Sequence, residues 1–179
     1  MPSAGTVSGT VTLSASFSEY ITTGITPYTI TELLGAMGIN PGNLSLNSGT
    51  ASGLIDTLYA QKLTLAATTT TIDWTSVIDP GGASVSFARS RFFFVFNPDA
   101  TAGHDIKIYQ GASNPWAPLP ASGQPGWARY GGGWYMLCDP ISTGTGNGNV
   151  ITSTSKTTVF DSGANTVSFY VIQAGGSVA

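Results

Sequence analysis

Residues 85–97 read Val85-Ser-Phe-Ala-Arg-Ser-Arg-Phe-Phe-Phe-Val-Phe-Asn97. Successive side chains of an extended strand point to opposite faces, so the consecutive apolar residues Phe92 to Phe96 leave neither face polar. A strand that is apolar on both faces belongs between two layers of protein or against a neighbouring subunit. The turn sequence Asn97-Pro-Asp99 ends the strand. We therefore predict that this is the most buried strand of the chain.

The rest of the chain carries further short strand patterns, separated by turn sequences and without a repeated strand–helix–strand unit. Regularly spaced strands of this kind indicate an antiparallel sandwich or barrel. The predicted fold class is all-β, an antiparallel, jelly-roll-like β-sandwich of about eight strands with an extended N-terminal segment and at most one short helix. Strands are predicted at residues 6–18, 54–64 (either unbroken or broken near Tyr59), 68–74, 85–97, 106–109, 134–138, 150–160 and 167–174, with 161–165 as a hairpin linker between the last two.

Residues 1–50 are predicted to form an N-terminal region, and residues 51–179 the β-sandwich domain. The N-terminal strand pattern alternates apolar and hydroxyl side chains, which is typical of a half-buried strand. Residues 31–38 predict the short helix, which begins with a threonine that can cap it and ends at a glycine. The apolar side of the N-terminal strand includes Val7, Val11 and Leu13.

Charge is scarce along the whole chain. Six Lys/Arg and nine Asp/Glu among 179 residues make 8% charged and a net charge of −3, whereas about a quarter is usual. The cations are scattered rather than gathered in a basic stripe, so we expect no nucleic-acid partner. The apolar runs are far shorter than the ~20 residues of a membrane span, and we expect no membrane partner. A neutral surface of this kind favours packing against other protein.

Few groups suited to catalysis are present. The single histidine, His104, lies next to Asp105, but neighbours on a strand point to opposite faces, and no Gly-x-Ser-x-Gly motif that would position a serine nucleophile accompanies them. The aspartates lack His or Cys at ligand spacing. We predict no catalytic residue, no metal site and no cofactor, and hence a protein that is not an enzyme. Arg89 and Arg91 either protect a strand edge or form ion pairs across a subunit boundary.

Residues 111–133 predict a long loop rich in proline and glycine. Loops of more than about 12–15 residues usually carry function or contacts. Trp116, Trp127 and Tyr130 form a candidate exposed recognition loop, since aromatic platforms stack on sugar rings. The alternative is that these rings fill a lid over one end of the sandwich.

Several motifs resemble the small virion structural proteins of tailed bacteriophages, including head decoration proteins. The motifs are Gly53-Leu-Ile-Asp-x-x-Tyr59-x-x-x-Leu-Thr-Leu-Ala-Ala67, Ile72-Asp-Trp-x-x-Val77-x-Asp-x-x-Gly82, Phe87-Ala-Arg89 and Asn165-Thr-Val-Ser-Phe-Tyr-Val-Ile-x-x-Gly175. The resemblance implies a β-sandwich that is present in many copies in a virion. Residues 1–50 match poorly, and the loop at 111–133 is richer in Pro and Trp than the resemblance would predict.

We therefore expect a capsid decoration or cement protein, made in the host cytoplasm and located in the virion, that stabilises the head through many protein–protein contacts. The expected partners are other virion proteins, chiefly the major capsid protein, and further copies of the chain, for example as a trimer. The alternatives are a tail component (a tube, tip or fibre-associated subunit) and a host-glycan-binding module that uses the Trp-rich loop. The candidate subunit interface comprises Val7, Val11, Leu13, Phe92, Phe94 and Phe96.

Overall fold

The structure, a computed structural model, describes residues 9–11, 44–46, 57–78, 82, 84–138 and 149–177. Within those ranges the backbone forms thirteen strands and no helix. The strands are β1 (Gly9–Val11), β2 (Leu44–Leu46), β3 (Thr57–Ala66), β4 (Thr69–Asp73), β5 (Val77–Ile78), β6 (Ser84–Val85), β7 (Arg89–Asn97), β8 (Ile106–Gln110), β9 (Gly126–Ala128), β10 (Gly133–Cys138), β11 (Asn149–Val150), β12 (Thr157–Asp161) and β13 (Thr166–Gly176).

The chain divides into two compact units, one of Gly9–Leu46 and the other of Met1–Ser8 with Asn47–Ala179. In the smaller unit, β1 and β2 form an antiparallel pair. Of the residues predicted for the N-terminal part of the interface, Val11 is the last residue of β1. Val7, Leu13 and the predicted helix at 31–38 lie outside the described residues.

The larger unit is an antiparallel sandwich of two sheets. One sheet has the strand order β3-β13-β7-β10, with the short β11 also paired to β7. The other has the order β4-β12-β8-β9. Along the chain, most successive long strands alternate between the two sheets, which is the arrangement of an eight-stranded jelly roll. The predicted all-β, antiparallel sandwich is confirmed.

Strand β7 occupies the interior of its sheet, as its apolar sequence predicts. It pairs with β13 on one side and with β10 and β11 on the other. Phe93 and Val95 are fully buried between the sheets. Strand β3 lies at the edge of this sheet and runs unbroken through Tyr59. Of the two alternatives for this segment, an unbroken strand or a break near Tyr59, the unbroken strand is therefore correct.

Trp74 lies at the centre of the core. It follows directly after β4, has no exposed surface, and is surrounded by four aromatic rings at centroid distances of 5.6 to 6.4 Å and interplanar angles of 63° to 88°. The indole Nε1 donates a 2.8 Å hydrogen bond to Thr158 Oγ1 on β12. Edge-to-face packing of this kind stabilises a core beyond the area it buries. The four rings belong to Tyr59, Phe87, Phe93 and Trp116.

Two chain segments cross between the sheets side by side at one end of the sandwich. The β3–β4 corner and the β12–β13 corner are joined by hydrogen bonds from Ala67 N to Asn165 O (3.0 Å) and from Ser162 N to Thr68 O (3.2 Å). The predicted hairpin at 161–165 is therefore wrong. This segment has good turn chemistry, but β12 and β13 pair in different sheets, because each fills a gap between strands that are distant in sequence.

The predicted single strand at 150–160 is also wrong. Strand β11 pairs with β7 in one sheet, and β12 pairs with β4 and β8 in the other. Between them, a turn closes through the paired backbone groups of Thr152 and Ser155. Residues with β-branched side chains continue through this turn, so the local sequence does not indicate that the chain passes from one sheet to the other there.

Arg89 and Arg91 do not lie at an exposed strand edge. Their side chains are only 4% and 2% exposed, and both have partners within the chain. Strands β11 and β13 flank β7 at Arg89, so the prediction that these arginines protect a strand edge is wrong. The alternative, ion pairs across a subunit boundary, stays a prediction.

Candidate functional site

The outer side of the β3-β13-β7-β10 sheet carries a surface that we call the aromatic face. The intervening residues on these strands, such as Phe93, Val95 and Val171, are buried in the core between the sheets, so the alternate residues project outward. The aromatic face comprises Leu58, Ala60 and Lys62 on β3, Tyr170, Ile172 and Ala174 on β13, Phe92, Phe94 and Phe96 on β7, and Trp134 and Met136 on β10.

Strand register arranges these residues in three rows across the sheet. Residues directly opposite each other on neighbouring strands stand close enough for their side chains to interact. The rows are Trp134–Phe96–Tyr170–Lys62, Met136–Phe94–Ile172–Ala60 and Phe92–Ala174–Leu58. The first two rows thus bring together side chains that are distant in the sequence, whereas Phe92 and Ala174 in the third row are buried.

The three phenylalanines of β7 form a ladder of nearly parallel rings. The Phe92 and Phe94 ring centroids are 5.9 Å apart at an angle of 13°, and those of Phe94 and Phe96 are 6.5 Å apart at 9°. Trp134 flanks Phe94 at 6.5 Å, and Tyr170 flanks Phe96 at 6.4 Å. Rings that hold one another in this way present a preformed contact surface, which limits the conformational entropy lost on binding.

Several members of the aromatic face are open to solvent. Trp134 is 55% exposed, and Tyr170 and Leu58 are each 42% exposed. An open depression of about 660 Å³ lies across β3, β13 and β7. Ala60, Lys62, Phe94, Phe96, Tyr170 and Ile172 are among the residues that line it. Contiguous apolar surface with exposed aromatic rings marks sites of interaction with other protein.

Lys62 is the one charged member of the aromatic face. Its Nζ lies 6.0 Å from the centroid of the Tyr170 ring, a cation–π arrangement. Beyond Lys62 on the same side of the sheet, Thr64 and Ser168 form a 2.7 Å hydroxyl–hydroxyl hydrogen bond. The electrostatic character of the face is therefore close to neutral.

The structure brings together the three predicted interface residues of β7. Phe92, Phe94 and Phe96 lie on one surface, although Phe92 itself is only 6% exposed. Sequence reasoning missed Trp134 and Tyr170 as neighbours of these rings. The sequence predicted strands at 134–138 and 167–174, but only the pairing of both strands next to β7 makes Trp134 and Tyr170 neighbours of its rings.

The predicted recognition loop does not form a single aromatic platform. The prediction that Trp116 is exposed is wrong, because this side chain has no exposed surface. Its ring centroid lies 5.4 Å from that of Phe93 in the core. A backbone hydrogen bond from Trp116 N to Thr157 O holds the loop against β12. Burial of the large indole stabilises this closed conformation. Tyr130, by contrast, is 44% exposed.

Trp127 is half-buried and covered by cations. The Arg129 guanidinium carbon lies 4.0 Å from the centroid of the indole ring, and Lys107 Nζ lies 5.6 Å from it. Asp105 fixes Arg129 through a 2.7 Å ion pair. A ring face with a guanidinium stacked on it is not open to a sugar.

His104 pairs with Asp99 rather than with its neighbour Asp105. His104 Nδ1 lies 2.9 Å from Asp99 Oδ2. Thr101 N donates a 2.9 Å hydrogen bond to Asp99 Oδ1, and the Asn97 side chain binds the backbone of His104 and Ala128. These contacts hold the connection from β7 to β8.

The Asp99 interactions predict a pH-dependent contribution to stability. The hydrogen bond from Thr101 N, and then that from His104, lower the pKa of Asp99. A carboxyl whose pKa is lowered on folding stabilises the fold above its unfolded-state pKa, and this contribution is lost as the pH falls through the folded-state value. The melting temperature of Asp99→Ala should therefore lie below that of the wild type near about pH 7, and the gap should close towards about pH 2–3. A gap that is independent of pH would contradict this assignment.

Each of the four aspartates within the described ranges takes part in an ion pair. The pairs are Asp73–Lys156, Asp99–His104, Asp105–Arg129 and Asp161–Lys107. In the same part of the chain, no three His, Cys, Asp or Glu residues gather as a metal ion would require.

Comparisons with known proteins identify no relative. No family model, no curated protein and no solved structure matches this chain. Among the residues that the structure describes, no helix has the length and apolar character needed to span a membrane.

Proposed function

We propose that this chain is a structural protein of a tailed-phage virion, most directly a head decoration or cement subunit, and that the aromatic face makes its contacts between subunits. The observation that carries this proposal is the aromatic face itself, which projects exposed rings from a rigid sheet and contains one charge. Aromatic side chains in preformed positions commonly dominate the energy of protein–protein contacts.

Two further features support a place in a virion rather than another assembly. The motifs within residues 53–100 and the closing strand resemble phage virion proteins. The jelly roll also occurs in viral capsid proteins, although it occurs in lectins and cupins as well, so this support is an analogy of fold. The paired state of the described aspartates favours a non-enzymatic role. The burial of Trp116 and the cations on Trp127 give no support to a glycan site.

The location is tested by labelling virions of the virus that encodes this chain. Gold-conjugated antibody against the purified chain should decorate the head shell of intact particles. Label confined to the tail would move the protein to a tube, tip or fibre-associated position. An absence of label, together with an absence of the chain from the protein content of purified particles, would overturn the proposal.

The contact surface is tested by complementing a virus that lacks this gene. Phe94→Lys places a charge in the middle of the aromatic face, and Tyr130→Lys places the same charge at an exposed ring outside it. Because a desolvated lysine without a partner opposes association, particles should incorporate the Tyr130 variant at wild-type level and the Phe94 variant at less than about a tenth of it. Circular dichroism of both purified variants controls for folding, and normal incorporation of a folded Phe94 variant would refute the contact.

A further inference from the structure

We infer that the core of the sandwich binds an internal water molecule between the side-chain amide of Gln173 and the indole Nε1 of Trp116. This water joins β13, in one sheet, to the loop around Trp116, which a backbone hydrogen bond to Thr157 O holds against β12 in the other sheet. The inference is independent of the proposed function, because it concerns the interior of the protein and not the outer side of a sheet.

Gln173 places a primary amide on the inner side of a strand that is otherwise apolar there. Val167, Phe169 and Val171 precede it on the same side of β13, and all four side chains are fully buried. A glutamine amide has two donor hydrogens and an acceptor oxygen. Among the residues that the structure describes, neither the amide oxygen nor the amide nitrogen of Gln173 has a hydrogen-bond partner. Burial of such a group is costly unless an ordered water binds it.

The indole Nε1 of Trp116 is a second buried polar atom of the same kind. Trp116 has no exposed surface, and within the described part of the chain its Nε1 finds no acceptor. The indole of Trp74 differs, since its Nε1 donates directly to Thr158 Oγ1 at 2.8 Å. Because a buried tryptophan N–H usually has a hydrogen-bond partner, Trp116 calls for an acceptor that the described side chains do not supply.

Strand register and ring packing place Gln173 and Trp116 beside the same two rings. Gln173 lies opposite Phe93 on β7 and opposite Tyr59 on β3. Trp74 contacts both of these flanking rings, at centroid distances of 5.9 and 5.6 Å. Trp116 packs at 5.4 Å from Phe93 and at 6.4 Å from Trp74. The two polar groups therefore lie in one part of the core, yet they form no direct hydrogen bond with each other.

Water is the ligand whose hydrogen-bonding groups match these atoms. It can accept from Trp116 Nε1 and at the same time donate to Gln173 Oε1, whereas a cation would be repelled by the N–H groups and an anion by the amide oxygen. Internal waters typically make about three hydrogen bonds to buried polar groups, and the amide oxygen, the amide nitrogen and the indole nitrogen supply that number. A bridging water of this kind is nearly as favourable as a direct hydrogen bond.

A crystal structure of the full 179-residue chain, at a resolution that shows ordered water, tests the site directly. We expect one water within ~2.7–3.2 Å of both Trp116 Nε1 and Gln173 Oε1. Oxygen-17 relaxation dispersion counts long-lived internal waters in solution, and this count should fall by about one in Gln173→Met. Trp134→Phe, which removes an indole N–H from a side chain that is 55% exposed, is the control and should leave the count unchanged. A direct hydrogen bond between the two side chains, or a Gln173 amide without water, overturns the inference.

Stability provides a second test, because the sign of the effect depends on the water. Methionine has nearly the length and volume of glutamine, so Gln173→Met removes the polar atoms and largely keeps the packing. With the water bound, this change breaks its hydrogen bonds and leaves Trp116 Nε1 without an acceptor, so the equilibrium constant for unfolding should rise about ten-fold. Without the water, it removes two unsatisfied polar atoms from the core, so a variant more stable than the wild type would overturn the inference.

A double-mutant cycle tests whether Gln173 and Trp116 share the same water. Trp116→Phe removes the N–H that donates to it. In that background, the rise in the unfolding constant caused by Gln173→Met should be at least about three-fold smaller than in the wild type, because groups joined by one hydrogen-bond network are not additive. Equal effects in the two backgrounds would show that the groups are independent and would overturn the bridge.

Discussion

Replacing Trp74 with alanine should lower the free energy of unfolding by about 3–5 kcal/mol, the range for removing a fully buried large aromatic side chain. The indole contacts four rings and leaves no surface exposed, so its loss opens a cavity between the two sheets that rigid neighbouring rings cannot fill. The change also removes the hydrogen bond to Thr158 Oγ1. Since a domain is stable by only about 5–15 kcal/mol, chemical denaturation should begin at much lower denaturant concentration.

Two further variants separate the contributions of Trp74. Trp74→Phe keeps an aromatic ring but removes the donor to buried Thr158. Its free energy of unfolding should therefore lie between those of the wild type and the alanine variant. Trp134→Ala removes the same side chain from a position that is 55% exposed and should change stability by no more than about 0.5 kcal/mol. Equal losses for Trp74→Ala and Trp134→Ala would contradict the assignment of Trp74 to the centre of the core.

The second large effect is expected at Asn97, at the end of β7. This fully buried side chain donates to His104 O at 2.7 Å and to Ala128 O at 3.1 Å, and it accepts from Asp99 N at 3.1 Å. Asn97→Ala leaves the two carbonyl oxygens and the Asp99 N–H without their hydrogen-bond partner. Each of these backbone groups that stays buried should lower the free energy of unfolding by roughly 1–3 kcal/mol. Equilibrium unfolding should therefore detect a loss of several kcal/mol, on the order of that for Trp74→Ala. A loss below about 1 kcal/mol would contradict the hydrogen-bonding role.

Asn97→Asp keeps the shape of the side chain and makes the effect depend on pH. The introduced carboxyl faces two carbonyl oxygens, so its ionised form is repelled while its protonated form can donate one hydrogen bond. Its pKa in the folded state should therefore be raised above the unfolded value. An acid with a raised folded-state pKa destabilises the fold at high pH, and the loss is recovered as the pH falls through that value. The difference in free energy of unfolding between this variant and the wild type should become smaller from about pH 7 to about pH 4. A difference that does not change with pH would contradict the contact of this side chain with the two carbonyl oxygens.

Local pattern predicted much of the strand content. The consecutive apolar residues of β7, the alternation in β8 and the β-branched run of β4 each identify a strand, because side-chain period and residue type reflect burial on one or both faces of a sheet. The predictions failed at β9, which lies within the predicted loop at 111–133, and at 85–97, where the predicted single strand is divided between β6 and β7. They also failed where the chain changes sheets. The segments around β11, β12 and the turn at 161–165 are compatible with a continuous strand and a hairpin, and the pairing of each strand with distant partners overrides that local preference.

The candidate site, like the fold, was predicted from the sequence only in part. The sequence predicted Phe92, Phe94 and Phe96 as interface residues, because a strand with aromatic side chains on both faces exceeds what one core can bury. The structure places all three on the outer side of one sheet, and their part in an interface stays a prediction. It also suggested that Trp116 is exposed, since the surrounding prolines and glycines are typical of a surface loop. The loop instead folds back along β12, and burial of the indole outweighs the loop composition.

By itself, the sequence determined that this chain folds into antiparallel β-strands, that β7 is apolar on both faces and that charge is scarce, since all three follow from residue type and a period of two. Only the tertiary structure decided which strands lie beside β7, and so which residues share its outer surface. Trp134, Tyr170 and Lys62 are separated by up to about a hundred residues from one another along the chain, and they meet in one row because of hydrogen-bond register between β10, β7, β13 and β3. Strand register depends on pairing between segments that are distant in the sequence, so it cannot be predicted from a short stretch of sequence.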